Sequence, residues 1–104
     1  MTKESDWKRF SRLKETALDR YCERALADCR ATMEQEDRSN HERFLDLYEQ
    51  VREADKRLAF IFDGHARSKA LDQFTCMRRE GLIEDSELAA FTEEFVENTR
   101  PRGG

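Results

Sequence analysis

The sequence predicts an all-α fold: a long antiparallel helical hairpin with a shorter C-terminal helix, bundle-like in arrangement. Three observations carry the prediction. Apolar residues recur at steps of three and four along two long stretches, 5–35 and 44–61, which is the helical period. Between them lies EQEDRSNHER, residues 34–43, without an apolar side chain. The 104 residues include only 4 Gly and 1 Pro, and 40% are charged against 38% hydrophobic, which suits long solvated helices better than a turn-rich sheet protein. Seven Phe, one Trp and two Tyr argue against a disordered chain, which would be poor in aromatics. The length is that of one domain, expected over 1–99, with 100–104 a flexible tail.

The first helix carries Trp7, Phe10, Leu13, Ala17, Leu18, Tyr21, Cys22, Ala25, Cys29 and Met33 along one stripe. Ser5 or Asp6 offers an oxygen to cap its start. The small residues at the middle of the stripe (Ala17, Cys22, Ala25, Cys29) permit close approach of a partner helix. After the polar stretch, Ser39 or Asn40 offers the next cap, with Glu42 in the first turn, where negative charge meets the positive helix end. Phe44, Leu47, Val51, Ala54, Leu58 and Ile61 then follow in alternating steps of three and four, an a/d heptad seam. Tyr48 and Phe62 widen it. Two long helices joined by a short polar loop pack as an antiparallel hairpin.

The stretch LAFIFDGHARSKAL, 58–71, is harder to read. Leu58, Phe62, Ala66, Ala70, Phe74 and Met77 continue in phase across Gly64. That continuity predicts one helix, bent or rotating its apolar face at Gly64. Asp63-Gly64 is turn chemistry, and it is the competing signal. The run Ala59-Phe60-Ile61-Phe62 is apolar all round a helix and therefore expects burial on all sides. Phe60, Ile61, Phe62 and Phe74 are read as a crossing in the core or in a homodimer formed through 58–77. Gly81 follows Arg78 and Arg79 as a helix stop, in the left-handed position that favours glycine. The last helix is expected from Asp85, its cap, to Asn98, with Leu88, Phe91 and Phe95 inward. Pro101 prevents continuation.

Charge narrows the function. The net charge is −4, and the whole excess lies in 82–104, at Glu84, Asp85, Glu87, Glu93, Glu94 and Glu97. An acidic C-terminal face complements a basic surface on a partner. His65, Arg67, Ser68 and Lys69 form a second polar patch. The expected contact surfaces are thus His65, Arg67, Ser68 and Lys69, together with Glu87, Glu93, Glu94 and Glu97.

Several chemistries are weighed and set aside. His41 and His65 have neither a neighbouring His nor a Glu at metal-ligand spacing, and Cys22 and Cys29 are not paired as zinc ligands are. No cofactor or metal is therefore predicted. A calcium-loop alignment on Gly81 fails, because Cys76 and Arg78 would occupy ligand positions that require oxygen. No pocket for nucleophilic catalysis is identifiable from the pattern, and the chain is expected not to be an enzyme. MRREGLI resembles the end of a helix in helix-turn-helix proteins, with Lys69, Arg78 and Arg79 as phosphate contacts. The helix that follows is acidic, however, and DNA would repel it.

Three cysteines, an odd number, and no N-terminal apolar region predict reduced thiols in the cytoplasm. No apolar run is long enough for a membrane span. The functional expectation is a small cytoplasmic helical interaction module, an adaptor, inhibitor or regulatory subunit that binds another protein and is itself a homodimer. A small DNA-associated regulator is the alternative.

Overall fold

The computed structural model describes residues 2–102. Met1, Gly103 and Gly104 lie outside it, and with them the last part of the tail expected over 100–104. The described residues form helices and connecting turns, with no strand. Helix α1 spans Glu4–Met33 and α2 spans Asn40–Phe62, antiparallel to it. A 3-10 turn at Arg67–Lys69 leads into α3, Ala70–Arg79. Two short helices follow, α4 at Asp85–Leu88 and α5 at Glu93–Asn98. The molecule is elongated, 52 × 26 × 25 Å.

The hairpin loop is fixed by local chemistry. Ser39 caps α2: its hydroxyl accepts from the Glu42 amide, and the Glu42 carboxylate accepts from the Ser39 amide. Arg38 braces the turn against Asp46 at 2.8 Å. The start of α1 differs from expectation. Lys3 occupies the cap position without a side-chain bond. Asp6 is buried, and its carboxylate accepts from the amide and hydroxyl of Thr92 at 2.9 and 2.6 Å. The residue expected to cap its own helix braces the start of α5 instead.

The core sits at one end of the hairpin. Phe10, Ala17 and Tyr21 from α1 meet Ile61 and Phe62 from α2. Ala70, Phe74 and Met77 from α3 fill the groove, and Leu82, Phe91 and Phe95 close it. Phe74 stands 4.9 and 5.0 Å from the Phe91 and Phe95 rings, and its edge meets Phe10 at 6.1 Å. The C-terminal segment therefore folds back onto α3, as the phase of Leu88, Phe91 and Phe95 predicts.

Three expectations are corrected. The helix does not continue through Gly64: α2 ends at Phe62, and residues 63–66 are non-helical, with Gly64 at φ +80. The turn is stabilised by groups far away in the chain. Gln73 Nε2 donates to the carbonyls of Asp63 and Gly64 at 2.9 and 2.8 Å, and Lys14 Nζ donates to Gly64 O at 3.1 Å. These bonds replace the ones a continuing helix would have made. The C-terminal helix is likewise broken between Leu88 and Glu93, where Asp6 and the Thr92 hydroxyl begin a new cap. Glu84, not Asp85, caps α4, in a box with Glu87. Finally, the apolar crossing is internal: Ile61, Phe62 and Phe74 are buried within the one chain, whereas Phe60 is 68% exposed.

Gly81 behaves as its position predicts. At φ +73 it lets the Leu82 amide reach Met77 O and its own amide reach Arg78 O, both at 3.0 Å, a Schellman stop.

Candidate functional site

The polar patch at 65–69 is an anchor for the inter-helix turn. His65 lies against Trp7 with ring centroids 4.6 Å apart. The Ser11 hydroxyl donates to Trp7 O at 2.9 Å, which leaves it to accept from His65 Nε2 at 3.2 Å. Lys14 Nζ faces His65 Nδ1 at 3.4 Å and also donates to Gln73 Oε1 at 3.1 Å. An ammonium only donates, so in the contact with Lys14 the Nδ1 of His65 takes the accepting role. Burial pulls the Lys14 ammonium below its ordinary value, an effect the Asp63 carboxylate partly offsets and Lys69 reinforces. Arg67 binds Glu4 at 2.7 Å and the Thr2 carbonyl at 3.1 Å, tying down the N-terminus. Ser68 and Lys69 are exposed. Trp7, Ser11, Lys14 and Gln73 complete this cluster. Trp7 belongs to the apolar stripe of the first helix, and Ser11, Lys14 and Gln73 carry no signal in the sequence beyond being polar.

The Ser11–His65 contact has the wrong polarity for nucleophile activation. A serine nucleophile gives its proton to the imidazole, whereas here the hydroxyl proton is directed at Trp7 O. Ser11 also sits inside α1, where backbone amides are already bonded and none can cradle an oxyanion.

The acidic C-terminal residues divide in two. Glu87 is bound bidentately by Arg20 at 2.7 and 3.0 Å, and the guanidinium holds its carboxyl below the usual range. Arg20 also donates to Leu82 O at 2.8 Å. Glu87 is therefore a brace between α1 and α4. Glu97 pairs with Arg100 at 2.7 Å. Glu93 and Glu94 stand exposed at the start of α5. Of the basic residues considered for phosphate, Arg78 turns inward and donates to Val96 O and the Thr99 hydroxyl at 2.7 and 3.1 Å. Arg79 is exposed.

The largest feature is one that the heptad reading placed inside. Phe44 and Val51, two seam positions of α2, are exposed, Phe44 at 69%. Tyr48 (61%), Leu26 (64%), Leu18, Met33 and Leu45 are exposed with them. All lie on the hairpin, most of them beyond the reach of α3. On α1, Leu18, Cys22, Leu26, Cys29 and Met33 follow at steps of four and three, one helix face. On α2, Phe44, Tyr48 and Val51 do the same. The other flank is where α3 docks: Arg24 donates to Glu80 O at 2.7 Å, and Arg57 pairs with the Glu80 carboxylate at 2.8 Å. Helical residues are about 100° apart, so Arg24 points roughly 160° from Leu26, and Arg57 about 180° from Tyr48. The apolar stripes of both helices thus share the flank that α3 leaves open.

Compared with protein-family models, curated proteins and solved structures, the chain shows no match. No helix among the described residues is long and apolar enough to cross a membrane.

Proposed function

We propose that this chain is a small helical protein–protein interaction module, without catalysis of its own, that docks an amphipathic helical partner on the open flank of its hairpin. The observation that supports this reading is the apolar face formed by Leu18, Leu26 and Met33 of α1 with Phe44, Tyr48 and Val51 of α2. Soluble chains rarely leave a contiguous apolar patch of this kind uncovered, and those that do use it for binding. Stripes at helical spacing on two adjacent helices make a groove for a third helix or a helix pair. The exposed carboxylates of Glu93 and Glu94 offer a basic partner a second contact at the other end of the molecule. A cytoplasmic setting belongs to the same proposal, because Cys22, Cys29 and Cys76 are free thiols. The DNA-associated alternative loses one of its contacts, since Arg78 is spent on Val96 and Thr99.

The test compares capture by the immobilised chain, its Leu26→Glu and Tyr48→Glu variants, and an Arg79→Glu control. The proposal expects a partner retained by the wild type and the control and lost by both face variants. Equal capture by all four would overturn it. So would recovery of nucleic acid that the Arg79→Glu change abolishes.

A further inference from the structure

We infer that the occupant of the open flank is a second copy of this chain, packed tip over tip in a two-fold four-helix bundle. This rests on the interaction-module reading above and names its partner.

The α1 half of the face is symmetric about its own midpoint. Along α1 that midpoint falls between Ala25 and Leu26. Leu18 is as far from it as Met33, and Cys22 is as far as Cys29. A two-fold axis through it, perpendicular to the helices, lays α1 antiparallel on the partner's α1, sets Leu18 against Met33 and Cys22 against Cys29, and brings the two exposed Leu26 side chains together beside the axis. The cysteines that flank this leucine pair are small, so the helices can approach closely there.

On α2 the same axis matches Tyr48 with Val51 and sets Phe44, at the edge of the face, opposite Asp55. Within the hairpin, Tyr21 donates to Ala54 O at 2.8 Å and Arg43 to Met33 O at 2.6 Å, which sets the level of one helix against the other. On that register the point level with the α1 midpoint lies at about Gln50. Tyr48 and Val51 stand on either side of it, so they come together across the same axis. The rim agrees in charge. On each side of the axis Asp19 comes within a helical turn of Arg30 from the other copy, while Glu49 and Arg52 are paired within each chain at 3.6 Å. An isologous interface needs this kind of self-complementarity.

The base of the molecule selects the direction. At that end the same flank is covered by the turn that carries Gly64 and His65, seated on Trp7 and Ser11. Two hairpins pointing the same way would bring these turns into collision. Pointing opposite ways, each turn lies past the other hairpin's tip. Area is adequate. Aromatic side chains carry ~150–250 Å² and large aliphatic ones somewhat less, so six of them half exposed present on the order of 500 Å². The polar rim supplies much of the rest of the ~800 Å² per partner typical of a stable interface.

Cys22 and Cys29 provide the test. Seven residues apart on one helix, they are separated by about 10 Å, and a disulfide needs Cα atoms within about 7 Å. Within one chain they cannot join, but across the proposed axis they face each other. Sedimentation of the full chain with Cys76→Ser should give a dimer at tens of micromolar. Copper-phenanthroline oxidation should then yield a covalent dimer whose digest holds the Cys22–Cys29 linked peptide. Adding Cys22→Ser or Cys29→Ser should abolish the linkage while leaving the sedimenting dimer. Leu26→Glu should shift the species to monomer with unchanged helicity, and Phe60→Glu, outside the face, should not. A wild-type monomer at these concentrations overturns the inference. If the monomer still captures a partner that Leu26→Glu loses, the interaction-module reading survives it. A dimer that yields no Cys22–Cys29 peptide, or that Leu26→Glu leaves intact, overturns the tip-over-tip arrangement.

Discussion

At Asp6 a single carboxylate decides how the C-terminal segment attaches. It is buried, and its two oxygens accept from the Thr92 amide and hydroxyl, 86 residues away. Hydrogen bonds to a charged acceptor contribute about 1.5–3 kcal/mol, and a deleted acceptor leaves a buried donor unpaired. Asp6→Ala should therefore lower the unfolding free energy by about 2–3 kcal/mol, read by urea titration. Asp6→Asn, which keeps one acceptor oxygen, should cost less. An Asp6→Ala variant as stable as the wild type would show that the brace contributes nothing. Gln73 is the second decisive residue. Its amide donates to two carbonyls of the turn after α2 and accepts from Lys14. Gln73→Leu should cost about 1–2 kcal/mol, since apolar replacement strands the Asp63 carbonyl and leaves Gly64 O with Lys14 alone. Trp7, the one tryptophan, reports on it. His65 lies tilted against that ring at 4.6 Å, so a loosened turn should change its emission and raise its accessibility to iodide.

Among the elements, α4 offers a dependence on pH. The Arg20 side chain, first through its hydrogen bonds, lowers the Glu87 carboxyl from its ordinary 4.5. A lowered carboxyl stabilises the fold above the unfolded value, and the contribution is lost as pH falls through the folded value. Glu87→Gln should cost about 1 kcal/mol at neutral pH, and its stability should fall less steeply than that of the wild type below pH 4.5. Parallel acid slopes for the two proteins would contradict the assignment. The same scale shows what the sequence could reveal. The hairpin was legible because its stripes, its polar loop and the Ser39–Glu42 box are all local signals. The Gly81 stop was legible for the same reason. The break at Gly64 was not, because apolar phase is blind to a turn whose carbonyls are satisfied by Lys14 and Gln73. The division of the last helix was hidden likewise, since Asp6 belongs to the opposite end of the chain. The anchoring role of His65 depended on the same turn. It could not be read before Trp7 and Ser11 were known to lie beside it.

For the whole molecule, the two ends of the hairpin differ in what holds them. The base is packed by α3, α4 and α5 around Phe74. The tip is held mainly by α1 and α2 alone, with Thr32 bonded to Gln50 and Arg43 to the end of α1. Periodicity identified Phe44 and Val51 as apolar seam positions, but a seam records that a face is apolar and not which chain covers it. An isolated helix pair with half its apolar surface in water has little local stability, and such segments open at a fraction of the global free energy. The proposed dimerisation through that face would stabilise it by mass action. Amide exchange should therefore separate the two ends. In dilute protein, amides of 22–33 and 44–55 should exchange much faster than those of 70–79. Raising the concentration into the dimeric range should slow exchange at the tip and leave the base unchanged. In the Leu26→Glu variant tip exchange should stay fast at every concentration. Tip protection that is independent of concentration in the wild type would mean that the hairpin is stable without a second copy.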